Sequence, residues 1–262
     1  MPGADQLPTR WLGRPLWHLA SVDSTNRWLK AAMDEGRAGH GAVVAADAQT
    51  AGRGRRGRTW ASPPLGNIYA SVLLFPPPER LSGVLSLLAG VAVVEAVREA
   101  VGLDVRLKWP NDVVAGGRKC AGVLVEAGTS PHPWAIVGVG INVNGEPPEA
   151  YASATSLRRV CQRTLDADAL FFALLGQLER LYDAWLENGD AEIVARWSQR
   201  NVTLGALVEV HQPGQRPWIG RAQSVDEDGS LWVERAGVPV KVMAGDVSVR
   251  VPGGGYAPES LS

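Results

Sequence analysis

The sequence predicts an α+β protein in which a mixed, largely antiparallel sheet packs with helices and a small C-terminal β-barrel follows. Three observations carry that expectation. Strand-like runs follow closely at Val105 to Trp109, Lys119 to Glu126 and Trp134 to Asn142, and such short links join antiparallel neighbours rather than the parallel strands of βαβ units. Ahead of them, Ser82 to Val101 is apolar on every side, the mark of a buried helix. From Ala206 to Val251 the chain alternates in short runs broken by Pro213-Gly214, Asp228-Gly229, Gly237 and Gly245-Asp246, as a small all-β unit does.

The elements follow in order. After a loose start, Pro15 to Val22 reads as a strand, and Ser24-Thr25-Asn26 opens a helix through Arg27 to Met33 that stops at Gly36. Gly41 to Ala46 is a second strand, which delivers the chain to Gln49 and a glycine-arginine loop. Asn67 to Phe75 is a third, stopped by Pro76-Pro77-Pro78, and Gly102 ends the apolar helix. Beyond the three close runs come helices over Asp166 to Glu187 and Asp190 to Gln199, then five short strands at 206–211, 218–224, 230–235, 239–243 and 247–251. The expected division is a large domain over 1–200, the small barrel over 201–252, and a glycine-rich tail over 253–262 that is expected to be disordered.

With 262 residues, 45% of them apolar, the chain has enough material for a large core. Twenty-six basic residues against 27 acidic ones leave no global field for nucleic acid or membrane, so anion binding has to come from local clustering. Cys120 and Cys161 form no Cys-x-x-Cys pair, and His18, His40, His132 and His211 lack metal-ligand spacing, so no fixed metal site is expected. Neither a signal peptide nor an apolar run of about 18 residues stands out, which makes the cytoplasm the expected compartment.

The local cluster is Gly52-Arg53-Gly54-Arg55-Arg56-Gly57-Arg58. Glycine lets the backbone approach a ligand, and arginine supplies a permanently charged fork of donors, so the loop suits phosphate. Its GxGxxG spacing is also that of dinucleotide folds, but these need a helix directly afterwards, and Arg58 to Pro64 cannot form one. A kinase glycine loop fails too, for want of HRD and DFG motifs. Two readings stay open: an arginine-glycine segment that binds nucleic acid with Trp60 stacked on a base, and a solvated basic turn.

A second constellation is Lys108-Trp109-Pro110-Asn111-Asp112, with Lys119 opening the next run. If those two runs pair as a hairpin, Lys108 and Lys119 come together and Asp112 lies in the connecting loop. Taken singly, Lys119 also reads as a solvated turn lysine, Asp112 as a turn former and Ser24-Thr25-Asn26 as a helix cap.

Together, Asp23-Ser24-Thr25-Asn26, Gln49 to Arg58 with Trp60, Lys108 to Asp112, Arg118-Lys119 with Ala121 to Glu126, and Gly138-x-Gly140-Ile141-Asn142-Val143 resemble the biotin protein ligase family (biotin–[acetyl-CoA carboxylase] ligases). The resemblance covers roughly residues 16–251. It implies a catalytic domain like that of class II aminoacyl-tRNA synthetases and a Src-homology-3-like C-terminal barrel. The implied activity joins biotin to ATP as biotinyl-5′-AMP, with release of pyrophosphate, then passes biotin to one lysine of a biotin carboxyl carrier domain.

By the same resemblance, Ser24, Thr25, Asn26, Gln49, Arg53, Gly54, Arg55, Lys119, Gly122 and Gly140 bind biotin. Arg55, Arg56, Arg58, Trp60, Lys108, Asn111, Asp112, Lys119 and Asn142 bind ATP or the adenylate, and Mg²⁺ travels with ATP near Asp112. Lys119, Arg55 and Arg53 carry the catalysis. Some members bear an N-terminal helix-turn-helix domain, whereas about 15 residues precede the first strand here, so a monofunctional ligase without DNA binding is expected. Homodimers through the sheet occur in the family. The enzymatic alternative is a lipoate-type ligase.

Overall fold

A computed structural model describes residues 7–64, 66–212, 214–244, 248–250 and Tyr256. The strands β1 (Leu16–Leu19), β2 (Val43–Ala46), β3 (Ile68–Leu74), β4 (Arg106–Lys108), β5 (Asp112–Ala115), β6 (Arg118–Gly128) and β7 (Trp134–Ile141) form one sheet in the order β1-β2-β3-β7-β6-β5-β4. Only β1 and β2 pair in parallel, because helix α1 (Thr25–Asp34) crosses between them. The other neighbours are antiparallel, so the sheet is mixed and largely antiparallel as predicted.

Strand alternation divides the core between two faces. On one face Val43, Ala45, Ile68, Ala70, Val72, Val137, Val139 and Val123 pack under α2 (Val84–Val101), which α4 (Ala167–Asn188) and α5 (Asp190–Ser198) cover in turn. On the other, Val44, Leu73 and Ile136 pack against Leu29 and Ala32 of α1. The helix α2 is buried nearly all round, as its composition predicts. Gly102 ends it in the left-handed region at φ 75°, a conformation that glycine adopts without the clash a Cβ would bring. Asp166 caps α4 by accepting from the Ala169 amide at 2.9 Å.

Three expectations need correction. The links between 105 and 126 hide a strand: Val113-Val114-Ala115 belong to β5, which pairs with β4 on one side and β6 on the other. Asp112 is therefore the first residue of a strand, opposite Lys108 and Gly122, and does not sit in a connecting loop. A short helix, α3 (Leu157–Cys161), was also not predicted; the Ser156 hydroxyl caps it by accepting from the Arg159 amide. Nor is the start loose where it is described, since the Glu179 carboxylate of α4 accepts the amides of Arg10, Trp11 and Leu12, each at 2.9 Å.

Strands β8 (Leu207–His211), β9 (Trp218–Val225), β10 (Leu231–Arg235), β11 (Val238–Val242) and β12 (Ser248–Arg250) make an antiparallel sheet ordered β11-β10-β9-β8-β12. This small β unit matches the five predicted runs. It is tied to the larger sheet through Trp109, whose indole N–H donates to the Gly229 carbonyl at 3.0 Å. The tail predicted as disordered lies outside the described residues, except for Tyr256, which packs on Val114 and Val202.

Candidate functional site

A cavity of about 540 Å³ opens on the α1 face of the sheet, beside the arginine loop and bordered by Glu209, Val249 and Arg250 of the small β unit. Its floor follows from the alternation described above. Where Val137, Val139, Ile141, Ala121 and Val123 point into the core, the residues between them include Gly138, Gly140 and Gly122. Gly122 and Gly140 face each other across β6 and β7, so that patch of sheet carries no side chains. A Cβ on Gly138 would lie 2.2 Å from Asn26 Oδ1, and one on Gly140 would lie 2.6 Å from the Trp60 ring. Neighbouring side chains therefore fill the space that the glycines leave.

One end of the cavity is neutral and densely hydrogen-bonded. The Gln49 carboxamide oxygen accepts from the Thr25 amide (2.9 Å) and hydroxyl (3.1 Å), and its nitrogen donates to Ser62 Oγ at 2.8 Å. From a fully buried position on β3, Ser71 Oγ donates its one proton to Asn26 Oδ1 at 2.6 Å and stands 2.8 Å from Thr25 Oγ1. Ser24, Thr25 and Asn26 are themselves buried, so helix α1 presents its first turn to the cavity rather than to water. Ser24 makes no side-chain cap to that helix, which excludes the simple capping role for it.

The other end is charged. Lys119 pairs with Asp112 Oδ1, and the Tyr256 hydroxyl donates to Asp112 Oδ2. The Lys108 ammonium stands 3.7 Å from the centroid of the Tyr256 ring, and the Lys119 ammonium 5.0 Å from that of Trp60. Arg55 donates to Asn111 Oδ1 at 3.1 Å, while Asn111 donates in turn to the Val123 carbonyl. Burial lowers Lys108 to about 8, aided by the nearby Lys119, Arg250 and Arg58 charges and opposed by Asp112. For Asp112, burial would raise the carboxyl, but Lys119, the Tyr256 hydroxyl and Lys108 outweigh it and hold it below its ordinary range. Burial, with Arg58 and Arg56, also lowers Arg55 against the pull of Asp112.

The arginine loop is a narrow excursion closed on itself. Arg53 bridges Thr59, the Gly54 amide donates to the Arg58 carbonyl at 2.7 Å, and the Trp60 amide donates to the Gly52 carbonyl at 2.9 Å. Its apex is a short 3₁₀ turn over Arg55–Gly57 with Arg56 at φ 58°. Two fastenings hold it over the floor: the Trp60 ring on Gly122 and Gly140, and an ion pair of 2.9 Å between Arg53 and Glu126 Oε1. The second Glu126 oxygen accepts from Asn26 Nδ2 at 2.8 Å, which links the loop to α1.

Of the residues singled out in the sequence, Ser24, Thr25, Asn26, Gln49, Arg53, Gly54, Arg55, Arg58, Trp60, Lys108, Asn111, Asp112, Lys119, Gly122, Gly140 and Asn142 all line this one cavity. Arg56 does not; it is exposed at the turn apex. Lys119 is no solvated turn lysine, since its ammonium is committed to Asp112. Sequence reasoning assigned no role to Ser62, Ser71, Glu126 or Tyr256. As the one carboxylate within β6, Glu126 was legible as a partner for the arginine loop, whereas nothing near Tyr256 in the chain marks it. Among the described residues no group of three His, Cys, Asp or Glu side chains comes together as a metal cage. Lys119 is ion-paired with Asp112 Oδ1 and the Tyr256 hydroxyl donates to Oδ2, so the carboxylate is engaged on both sides.

Comparison with known proteins gives the class first. A profile of the Biotin/lipoate A/B protein ligase family matches residues 19–144. Biotin--[acetyl-CoA-carboxylase] ligase of Mycobacterium tuberculosis is 37% identical over 239 residues, which cover 89% of this chain and 88% of that one. Among solved structures, the biotin protein ligase of Aquifex aeolicus in complex with biotin and ATP superposes with a TM-score of 0.80 at 32% identity, over 90% of this chain and 98% of that one. The ligase of Leishmania major in complex with biotinyl-5-AMP gives a TM-score of 0.64 at 27% identity, over 87% and 98%. The chain belongs to the biotin protein ligases of this family.

Proposed function

We propose that the chain activates biotin with ATP and transfers it to a lysine of a biotin carboxyl carrier domain. One observation carries the reading: a single glycine-floored cavity has a neutral hydrogen-bonding end and a cationic end. A ureido ring needs paired neutral donors and acceptors, which Ser24, Thr25 and Gln49 supply. A carboxylate approaching an α-phosphate needs cations instead. In the first step a biotin carboxylate oxygen attacks the α-phosphorus and pyrophosphate leaves. Lys119 and Arg55 neutralise the two anions, each charge pair being worth roughly 4 kcal/mol at 4 Å and an effective dielectric near 20 before desolvation. In the second step the carrier lysine attacks the acyl carbon and AMP leaves.

Lys108, Asn111 and Arg58 serve the nucleotide phosphates, and magnesium arrives as part of the substrate, Mg·ATP. Arg53 and Trp60 hold the loop over the adenylate, keeping out the water that would hydrolyse it. Among the described residues no helix is long and apolar enough to cross a membrane, and we propose the cytoplasm as the site of action.

The test incubates the protein with biotin, ATP and Mg²⁺ and follows pyrophosphate, then adds a biotin carrier domain and looks for labelling of its lysine. Replacing biotin with lipoate separates the two ligase classes. Pyrophosphate release that depends on lipoate and not on biotin, or none with either, overturns the proposal.

A further inference from the structure

From these contacts we infer that Tyr256 is a positioning residue of the cationic end, holding Asp112 by its hydroxyl and Lys108 by its ring. The inference rests on the function proposed above. Three observations support it. The hydroxyl takes the Asp112 oxygen that Lys119 leaves, so the carboxylate is held from both sides. The Lys108 ammonium lies 3.7 Å from the ring centroid, close enough for a cation–π contact. The ring is also anchored, packed on Val114 of β5 and on Val202 after α5.

An ammonium has three N–H donors, and a ring face takes up one side of it, leaving the others for phosphate oxygens. Tyr256 thus acts as a wall. Without it the Asp112 carboxylate is free to turn, and Lys108 loses the surface that aims it into the cavity. The charged groups around Lys108 are Asp112 on β5, Lys119 on β6, Arg58 in the arginine loop and Arg250 on β12, and Tyr256 adds an aromatic face to them.

The rival role is a plug, in which the phenol fills the nucleotide subsite and has to leave. Full-length Tyr256→Phe and Tyr256→Ala separate the two in pyrophosphate assays with varied ATP and varied biotin. A positioning role predicts that Tyr256→Ala raises KM for ATP on the order of 10-fold and leaves KM for biotin nearly unchanged, and that Tyr256→Phe, which keeps the ring on Lys108 but releases Asp112, restores only part of the loss. A KM for ATP that is unchanged or lower in Tyr256→Ala overturns it; the lower value is the plug's result.

A second readout does not need turnover. With lysines ¹³C-methylated and Lys108 assigned through Lys108→Arg, the Lys108 resonance is titrated by NMR. Burial is the largest cause of the lowered Lys108 value, so in Tyr256→Ala the water that replaces the ring outweighs the lost cation–π attraction and the titration moves upward from about 8; in Tyr256→Phe it stays. No movement in Tyr256→Ala overturns the inference, even if the wild-type chain releases no pyrophosphate with biotin and the functional reading itself has failed.

Discussion

Lys119 is held from three directions, by Asp112, by the Trp60 ring and by the bare backbone of Gly122, where a Cβ would lie 3.1 Å from its ammonium. In the proposed reaction a side chain so fixed would meet developing charge without reorganising. Lys119→Ala is expected to cut adenylation on the order of 100-fold with an unaltered far-UV spectrum, and Arg55→Ala likewise, by analogy with removal of one transition-state donor. Pyrophosphate release checks both. Lys108 is different, because its charge opposes folding. Its folded value of about 8 lies below the ordinary 10.5, so between those pH values the unfolded chain holds a proton that the folded chain has released. Stability from this group therefore rises as pH climbs through that window, and the penalty is complete below it. Lys108→Met should abolish that rise and stabilise the fold on the order of 1 kcal/mol near neutrality while weakening ATP use. Urea denaturation at about pH 7 and about pH 9.5 reads the difference.

The arginine loop and strand β7 behave as one element, because Trp60 lies where the glycines leave room. Gly140→Ala places a methyl 2.6 Å from the indole, and the ring must move. The expected result is a loop released from its floor and a loss of adenylation larger than the change in stability. Glu126→Gln removes the charge that holds Arg53 and keeps the shape, so trypsin should cut the loop faster than in the wild type; an equal rate would dismiss the fastening. How much of this was legible varies from residue to residue. Sixteen of the seventeen residues that the family resemblance implied line one cavity, all but Arg56. The strand β5 escaped because three apolar residues between Pro110 and Gly116 are too short a run to show alternation. Ser71 escaped because a buried serine inside an apolar strand looks the same whether or not it organises a site, and its role depends on α1 packing across the sheet.

At the scale of the molecule, the motif that supplies Lys108 also joins the two sheets. Trp109 is fully buried and donates to Gly229, and the Gly83 and Gly229 backbones approach so closely that a Cβ on Gly229 would lie 2.8 Å from Gly83. Trp109→Phe orphans the Gly229 carbonyl and leaves a gap, at an expected cost of about 2 kcal/mol. The same substitution should loosen Lys108 one residue away, so thermal unfolding and KM for ATP are expected to shift together. The five runs of the small unit were legible from their turns, whereas its hold on Trp109 was not, since it depends on residues 120 positions apart. The glycine floor has one more consequence, in the order of synthesis. The arginine loop leaves the ribosome well before β6 and β7, and its seat does not exist until those strands have been made and paired. A growing chain thus carries the cations of the loop before it has the surface that aims them.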